Sequence, residues 1–127
     1  MTERYDRWSD AVTPLSRVAQ RLGEFNRARD WEQFHNPKDL AICLAGEAAE
    51  VLELFLWKPP QLPQELEALE HELADVLICT VNLAQRAGID LTAAVERKIA
   101  LNAEKYPVET ARGTAQKYTT LVTGDED

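Results

Sequence analysis

Six prolines divide this chain into stretches of helix length. They stand at positions 14, 37, 59, 60, 63 and 107, and they leave proline-free stretches of 15–36, 38–58 and 64–106. Proline is tolerated in the first turn of a helix but not in its interior, so each proline limits where a helix can run. Thr13-Pro14 and Asn36-Pro37 each join a capping side chain to a proline at the first helical position, which marks two helix starts.

These boundaries predict four helices, at about 14–28, 37–57, 63–87 and 91–105. Gly88 ends the third helix and Asp90 caps the fourth. No segment alternates apolar and polar residues with β-branched enrichment, so no sheet is predicted. The short connection at 58–63 makes the second and third helices an antiparallel hairpin. We therefore predict an all-α, four-helix bundle.

Length and charge limit the organisation and the partners of the protein. A chain of 127 residues predicts one domain over 1–127, with a helical core at about 13–106 and an irregular C-terminal arm at about 107–127. The net charge of −8 disfavours binding to a nucleic-acid polymer or an anionic membrane. No apolar run could span a bilayer, and no signal-peptide core is present. Cys43 and Cys79 are predicted to be buried free thiols, which suits the cytoplasm.

Four acidic residues fall inside apolar helix faces. On a helical wheel, Glu47 and Glu50 lie within the apolar stripe of the second helix, and Glu72 and Asp75 share an apolar face of the third. The i, i+3 spacing makes each pair neighbours, and a rise of about 1.5 Å per residue brings the two pairs level across the hairpin. We therefore predict a four-carboxylate cluster.

Such a cluster needs a cation. Close carboxylates repel by about 2 to 3 kcal/mol per pair at an effective dielectric near 20. Ligands that are all oxygen favour Mg²⁺ or Mn²⁺ over zinc. The alternative is a buried salt-bridge network with a lysine or arginine from another helix. A di-iron site is disfavoured, because Glu-x-x-His occurs once, at Glu32-Gln-Phe-His35.

Aromatic and basic residues form two further candidate groups. Trp31 and His35 lie between the first two predicted helices, where they either cover the core or bind a flat ring. Trp57, on the stripe that carries the first acid pair, could supply a second wall. A face of the fourth helix, which is either solvated or in contact with an anion, carries Lys98, Asn102 and Lys105.

Five segments between about residues 13 and 121 form one pattern: Trp31-Glu-Gln-Phe-His35, Gly46-Glu-Ala-Ala-Glu50, Phe55-Leu-Trp57-Lys58, Glu72-Leu-Ala-Asp75-Val-Leu, and Lys98-Ile-Ala-Leu-Asn102-Ala-Glu-Lys105-Tyr106-Pro107. This pattern resembles the MazG-like nucleotide pyrophosphohydrolases, and among them most closely the dCTP pyrophosphatase branch. Ala49 stands where many relatives carry glycine, and His71 where relatives often have a second acid. Neither departure affects the four acids.

The resemblance implies a MazG-like bundle that hydrolyses a nucleoside triphosphate to a monophosphate and pyrophosphate, with dCTP or a modified dCTP as the first-choice substrate. It implies that the four acids bind Mg²⁺, and we prefer Glu50 as the general base. Lys98 and Asn102 would contact the phosphates and stabilise the leaving pyrophosphate, with Lys105 and Tyr106 beside them.

Trp31 and Trp57 would sandwich the base while His35 reads it. The family also implies dimers or pairs of dimers, and we expect a homotetramer in which the arm from Val108 to Leu121 crosses onto a neighbour. The alternative function is a noncatalytic helical interaction module, whose acidic stripe pairs with a basic partner.

Overall fold

A computed structural model describes the chain from residue 13 to residue 121. None of these residues lies in a strand, so the predicted all-α fold class is confirmed. Among the described residues, no helix combines the length and the apolar character needed to cross a membrane. The helical elements are α1 (Pro14–Ala28), a 3₁₀ turn (Glu32–Phe34), α2 (Pro37–Glu53), α3 (Leu66–Ala87), α4 (Leu91–Lys105), α5 (Val108–Ala111) and α6 (Tyr118–Leu121).

Side-chain caps fix both of the helix starts that the prolines mark. The Thr13 hydroxyl accepts a hydrogen bond from the backbone N–H of Ser16 at 3.0 Å, and the Asn36 side chain accepts one from Asp39 N–H at 2.9 Å. At the C-terminal end of α3, Gly88 adopts a left-handed conformation with φ of 71° and closes the helix. The structure confirms these three predicted boundaries. Each is fixed by residues close to it in sequence, so the sequence alone could indicate it.

Both hairpin helices are shorter than predicted at the connection between them. α2 ends at Glu53, because the N–H groups of Leu54 and Phe55 bond to carbonyls three residues back, which tightens the chain into turns. α3 begins at Leu66, because Glu65 is still extended. The apolar pattern continues through these turns and therefore did not reveal where the helix ends.

The chain divides into two compact units between Leu91 and Thr92. In the first unit, α2 and α3 lie along each other as the predicted hairpin, and α1 packs on α3. Among the described residues of this unit, Ala19 and Val81 are fully buried, with Leu22 among the apolar residues packed against them, and Leu40 and Ala84 are also buried. A single domain over 1–127 stays a prediction.

In the second unit, the C-terminal arm contacts the end of α4. The rings of Tyr106 and Tyr118 meet edge to face with centroids 5.9 Å apart, and Lys105 Nζ lies 5.2 Å from the centroid of the Tyr118 ring. The arm also carries two four-residue helices, α5 and α6. The predicted acidic tip lies outside the described residues.

The two cysteines are free, but they are not both buried as predicted. Cys79 on α3 is partly buried, whereas Cys43 on α2 is exposed. The prediction fails for Cys43 because it assumed that every apolar position of α2 is covered, and within this unit many are not.

Candidate functional site

The hairpin brings three of the four predicted acids together. Glu47 on α2 and Glu72 and Asp75 on α3 can each offer a carboxylate oxygen, and these three oxygens lie within 4.8 Å of one another. Glu47 and Glu72 are partly buried and Asp75 is exposed. Three oxygens at this separation can converge on one hard divalent cation.

Glu50 lies one turn after Glu47 but stays outside this group, with an exposed side chain. Its charge nevertheless reaches the cluster. Partial burial, and then the negative charges of Glu50, Asp75 and Glu47, raise the pKa of Glu72, while His71 lowers it. The direction of this shift means that partial burial and the neighbouring negative charges disfavour the ionised form of Glu72, and a bound cation would offset that effect.

Within the described part of the first unit, no lysine or arginine forms an ion pair with these acids. The ion pairs found there join Arg27 to Glu32 and His71 to Glu67. The salt-bridge alternative therefore finds no support in this unit. Carboxylate ligands without histidine or cysteine fit Mg²⁺ or Mn²⁺, which prefer oxygen.

A partly open groove of about 470 Å³ lies further along α3. From Asp75 to Asn82, which lines the groove, α3 advances by roughly 10 Å at about 1.5 Å per residue. Its size and apolar walls suit a flat ring. The lining residues are Val18, Arg21, Leu22, Phe25, Asn26, Trp31, His35, Ile78 and Asn82.

Trp31 and His35 both line this groove. The Trp31 backbone N–H donates to the carbonyl of Asn26 at 2.9 Å, and the indole meets the Phe25 ring edge to face with centroids 5.6 Å apart. Arg86 Nε donates to the His35 carbonyl at 3.1 Å and ties this segment to α3. The Trp31 side chain remains 45% exposed, so a ligand can still reach it.

Trp57 is not among the residues that line the groove. It lies in the turn after α2, fully exposed, with a left-handed φ of 60°. The prediction that Trp57 extends the helical stripe is wrong, because α2 has already ended at Glu53. Its role in base binding stays a prediction.

The predicted phosphate contacts belong to the second unit. Lys98, Asn102 and Lys105 lie three or four residues apart on α4, with exposed side chains. Tyr106 follows the helix end, is partly buried, and donates its backbone N–H to the Asn102 carbonyl at 2.8 Å. Their contact with a phosphate stays a prediction.

Three polar residues of the groove were not identified from the sequence: Arg21, Asn26 and Asn82. Asn26 on α1 donates from Nδ2 to Oδ1 of Asn82 on α3, at 3.0 Å. Both side chains stand on helix faces that pack against apolar neighbours. A polar residue inside an apolar stripe is the same signal that identified the four acids, and it could have identified this pair.

Comparison with known proteins identifies the family of this chain. A family model described as MazG-like matches residues 42–121. The protein named dCTP pyrophosphatase 1 of Bos taurus is 49% identical over 117 residues, which cover 87% of this chain and 69% of the bovine protein. The Homo sapiens protein of the same name is 44% identical over 126 residues, which cover 93% and 74%. A crystal structure of a pyrophosphatase from Archaeoglobus fulgidus matches with a TM-score of 0.70 and 36% identity, over 75% of this chain and 94% of that one. The resemblance inferred from the sequence is confirmed, and the chain belongs to the MazG-like family.

Proposed function

We propose that this protein is a divalent-metal-dependent pyrophosphohydrolase that converts dCTP, or a modified dCTP, into dCMP and pyrophosphate. The observation that carries the proposal is the cluster of Glu47, Glu72 and Asp75, whose oxygens lie within 4.8 Å of one another; α3, which carries two of these acids, also forms one wall of the groove that Trp31 lines. The enzyme class agrees with the family and with relatives named as pyrophosphatases. The choice of dCTP rests on the names of those relatives.

Glu47, Glu72 and Asp75 would hold the metal, with Glu50 beside them. Mg²⁺ is the proposed ion and Mn²⁺ a possible substitute. When bound, the ion supplies charge for the triphosphate and lowers the pKa of a water molecule. Glu50 is the proposed general base, because its exposed carboxylate lies next to the three-acid group without belonging to it.

The remaining predicted residues bind the two ends of the substrate. Trp31 stacks on the base and Trp57 takes its other face, while His35 lies at the edge of the ring. At the phosphate end, positive charge and amide donors stabilise the leaving pyrophosphate. This second group consists of Lys98, Asn102, Lys105 and Tyr106.

A homotetramer assembled from dimers is part of the proposal. Large apolar side chains of the hairpin remain exposed, among them Ile42 at 58%, Leu52 at 59% and Leu73 at 51%. Monomeric proteins seldom leave apolar patches of this kind in water. The arm from Val108 to Leu121 would cross onto a neighbouring subunit. Light scattering that gives a monomer at micromolar concentration would contradict this part of the proposal.

The proposed location is the cytoplasm. Two free cysteines, Cys43 and Cys79, suit a reducing compartment, since thiols that persist unpaired are typical there.

Pyrophosphate release across canonical and modified NTPs and dNTPs tests the proposal directly. With Mg²⁺ present, dCTP or a modified dCTP should give the highest kcat/KM, and EDTA should abolish release. Glu72→Gln should remove activity, whereas Glu70→Gln, an exposed acid on the same helix, should leave it intact. If no nucleotide yields pyrophosphate and Mg²⁺ does not change the melting temperature, the noncatalytic module is the better description.

A further inference from the structure

The groove contains a buried amide pair that the proposed reaction does not yet use. Asn26 is 5% exposed, Asn82 is partly buried, and both line the groove between α1 and α3. Asn26 Nδ2 donates to Asn82 Oδ1 at 3.0 Å across 56 residues of sequence. Their neighbours in the groove include the apolar side chains of Leu22 and Ile78.

Two of the four polar side-chain atoms in this pair make no hydrogen bond within the described part of the protein. A carboxamide has an oxygen that accepts and an NH₂ that donates. Among the described residues, the two side chains hydrogen-bond only to each other, so Asn26 Oδ1 and Asn82 Nδ2 remain available in the groove wall. Packing two amides between helices costs part of their hydration, and two apolar side chains would join the helices without that cost. The pair therefore contributes something other than packing.

We propose that Asn26 and Asn82 read the hydrogen-bonding edge of the nucleobase in this groove and determine its selectivity. This inference rests on the proposed function. With the internal bond directed as observed, Asn82 Nδ2 offers a donor and Asn26 Oδ1 an acceptor. Cytosine presents the complementary order, because its N3 accepts and its N4 amine donates.

Uracil and thymine present the opposite order, since their N3–H donates and their O4 accepts. Their N3–H would meet the NH₂ group of Asn82, and their O4 would meet Oδ1 of Asn26. Neither contact is a hydrogen bond unless both amide groups flip. Stacking on Trp31 tolerates any base, so stacking alone does not provide this discrimination. An amide pair at the inner wall of the groove supplies it.

The sharpest test replaces one amide by its acid of the same shape. Asn82→Asp still accepts the bond from Asn26 Nδ2, but it has no donor for N3 of cytosine. The kcat/KM for dCTP should fall about 10 to 100-fold, because the hydrogen bond to N3 is lost and a carboxylate oxygen faces the N3 lone pair instead. The kcat/KM for dUTP should change much less, because N3–H of uracil can donate to the new carboxylate. The ratio of dCTP to dUTP efficiency should therefore fall at least 10-fold.

Two further variants separate recognition from folding and from charge. The double variant Asn26→Leu/Asn82→Leu removes both polar groups in favour of side chains of similar size; it should melt at or above the wild-type temperature and lose the preference for dCTP. Gln64→Glu adds the same charge at an exposed position outside the groove and should leave the ratio unchanged. If Asn82→Asp does not fold, the double variant decides the question.

A dCTP to dUTP ratio within twofold of wild type in the folded groove variants overturns the inference. If the wild-type protein hydrolyses no nucleotide at all, the proposed function fails, but base reading is still measurable. Quenching of tryptophan fluorescence by dCMP and by dUMP then replaces kinetics. A preference for dCMP that is lost in Asn82→Asp supports the amide pair, and equal quenching by both nucleotides overturns it.

Discussion

Replacing Trp57 by glycine should show whether the Trp57 indole binds substrate or stabilises the fold. The Trp57 side chain is fully exposed, so its removal forfeits no apolar burial within the subunit. Its φ of 60° is left-handed, which costs a residue with a Cβ about 1 to 2 kcal/mol. Glycine avoids that strain but loses about 0.5 to 1 kcal/mol in chain entropy. The net change is a stabilisation of about 0 to 1.5 kcal/mol, which raises the melting temperature by up to about 5 °C.

Substrate binding should change in the opposite direction. If Trp57 forms one wall of the base site, Trp57→Gly removes a stack worth about 1 to 3 kcal/mol and raises KM for dCTP roughly 10 to 100-fold. Trp57→Phe is the matched control, because it keeps both the ring and the strained φ: KM should stay close to wild type and the melting temperature should not rise. Differential scanning fluorimetry and pyrophosphate release measure the two effects. A melting temperature that falls by several degrees, or an unchanged KM, would refute the reasoning.

Three further predictions test the groove, the acids and the hairpin end. Trp31→Ala should raise KM about 10 to 100-fold for every nucleotide and leave Mg²⁺ affinity in calorimetry nearly unchanged; intact kinetics with a lower melting temperature would make Trp31 a cover over Phe25. Glu50→Gln should abolish pyrophosphate release while sparing or stabilising the metal-free fold, and a variant that unfolds would argue for a salt-bridge core. Gly88→Ala, at φ of 71°, should cost about 1 to 2 kcal/mol in denaturant unfolding without altering kcat, since it strains only the end of α3; an unchanged stability would contradict this role of Gly88.

The helix boundaries that a capping side chain fixes were predictable from the sequence. The end of α2, where the chain tightens into turns, was not. Thr13 and Asn36 cap their helices through bonds to residues three positions later, so the signal lies within one turn of sequence. The end of α2 has no such signal. Leu54 and Phe55 are good apolar residues for a helix, and only their bonds to carbonyls three residues back show that the helix has stopped.

The same distinction applies to the candidate site. Glu47, Glu72 and Asp75 were predictable as a group, because spacing on each helix and register across one hairpin suffice to place them together. The exclusion of Glu50 from that group was not predictable, because it depends on a side-chain direction that a wheel does not resolve. The groove pair of Asn26 and Asn82 joins helices that are distant in sequence, and no short-range spacing indicates which helices will meet.

A common physical argument links the acids to the amide pair. Glu72, Asp75 and Asn82 all lie on α3, the helix that also carries the fully buried core residue Val81. Partly buried polar side chains on these helix faces lose some of their hydration, which weakens the isolated subunit. A cation at the acids and a base in the groove would each add interactions to these groups, and any ligand that binds only the folded state adds stability as its concentration exceeds Kd. The polar groups that reduce the stability of the empty hairpin are therefore the groups that would make its stability depend on substrate.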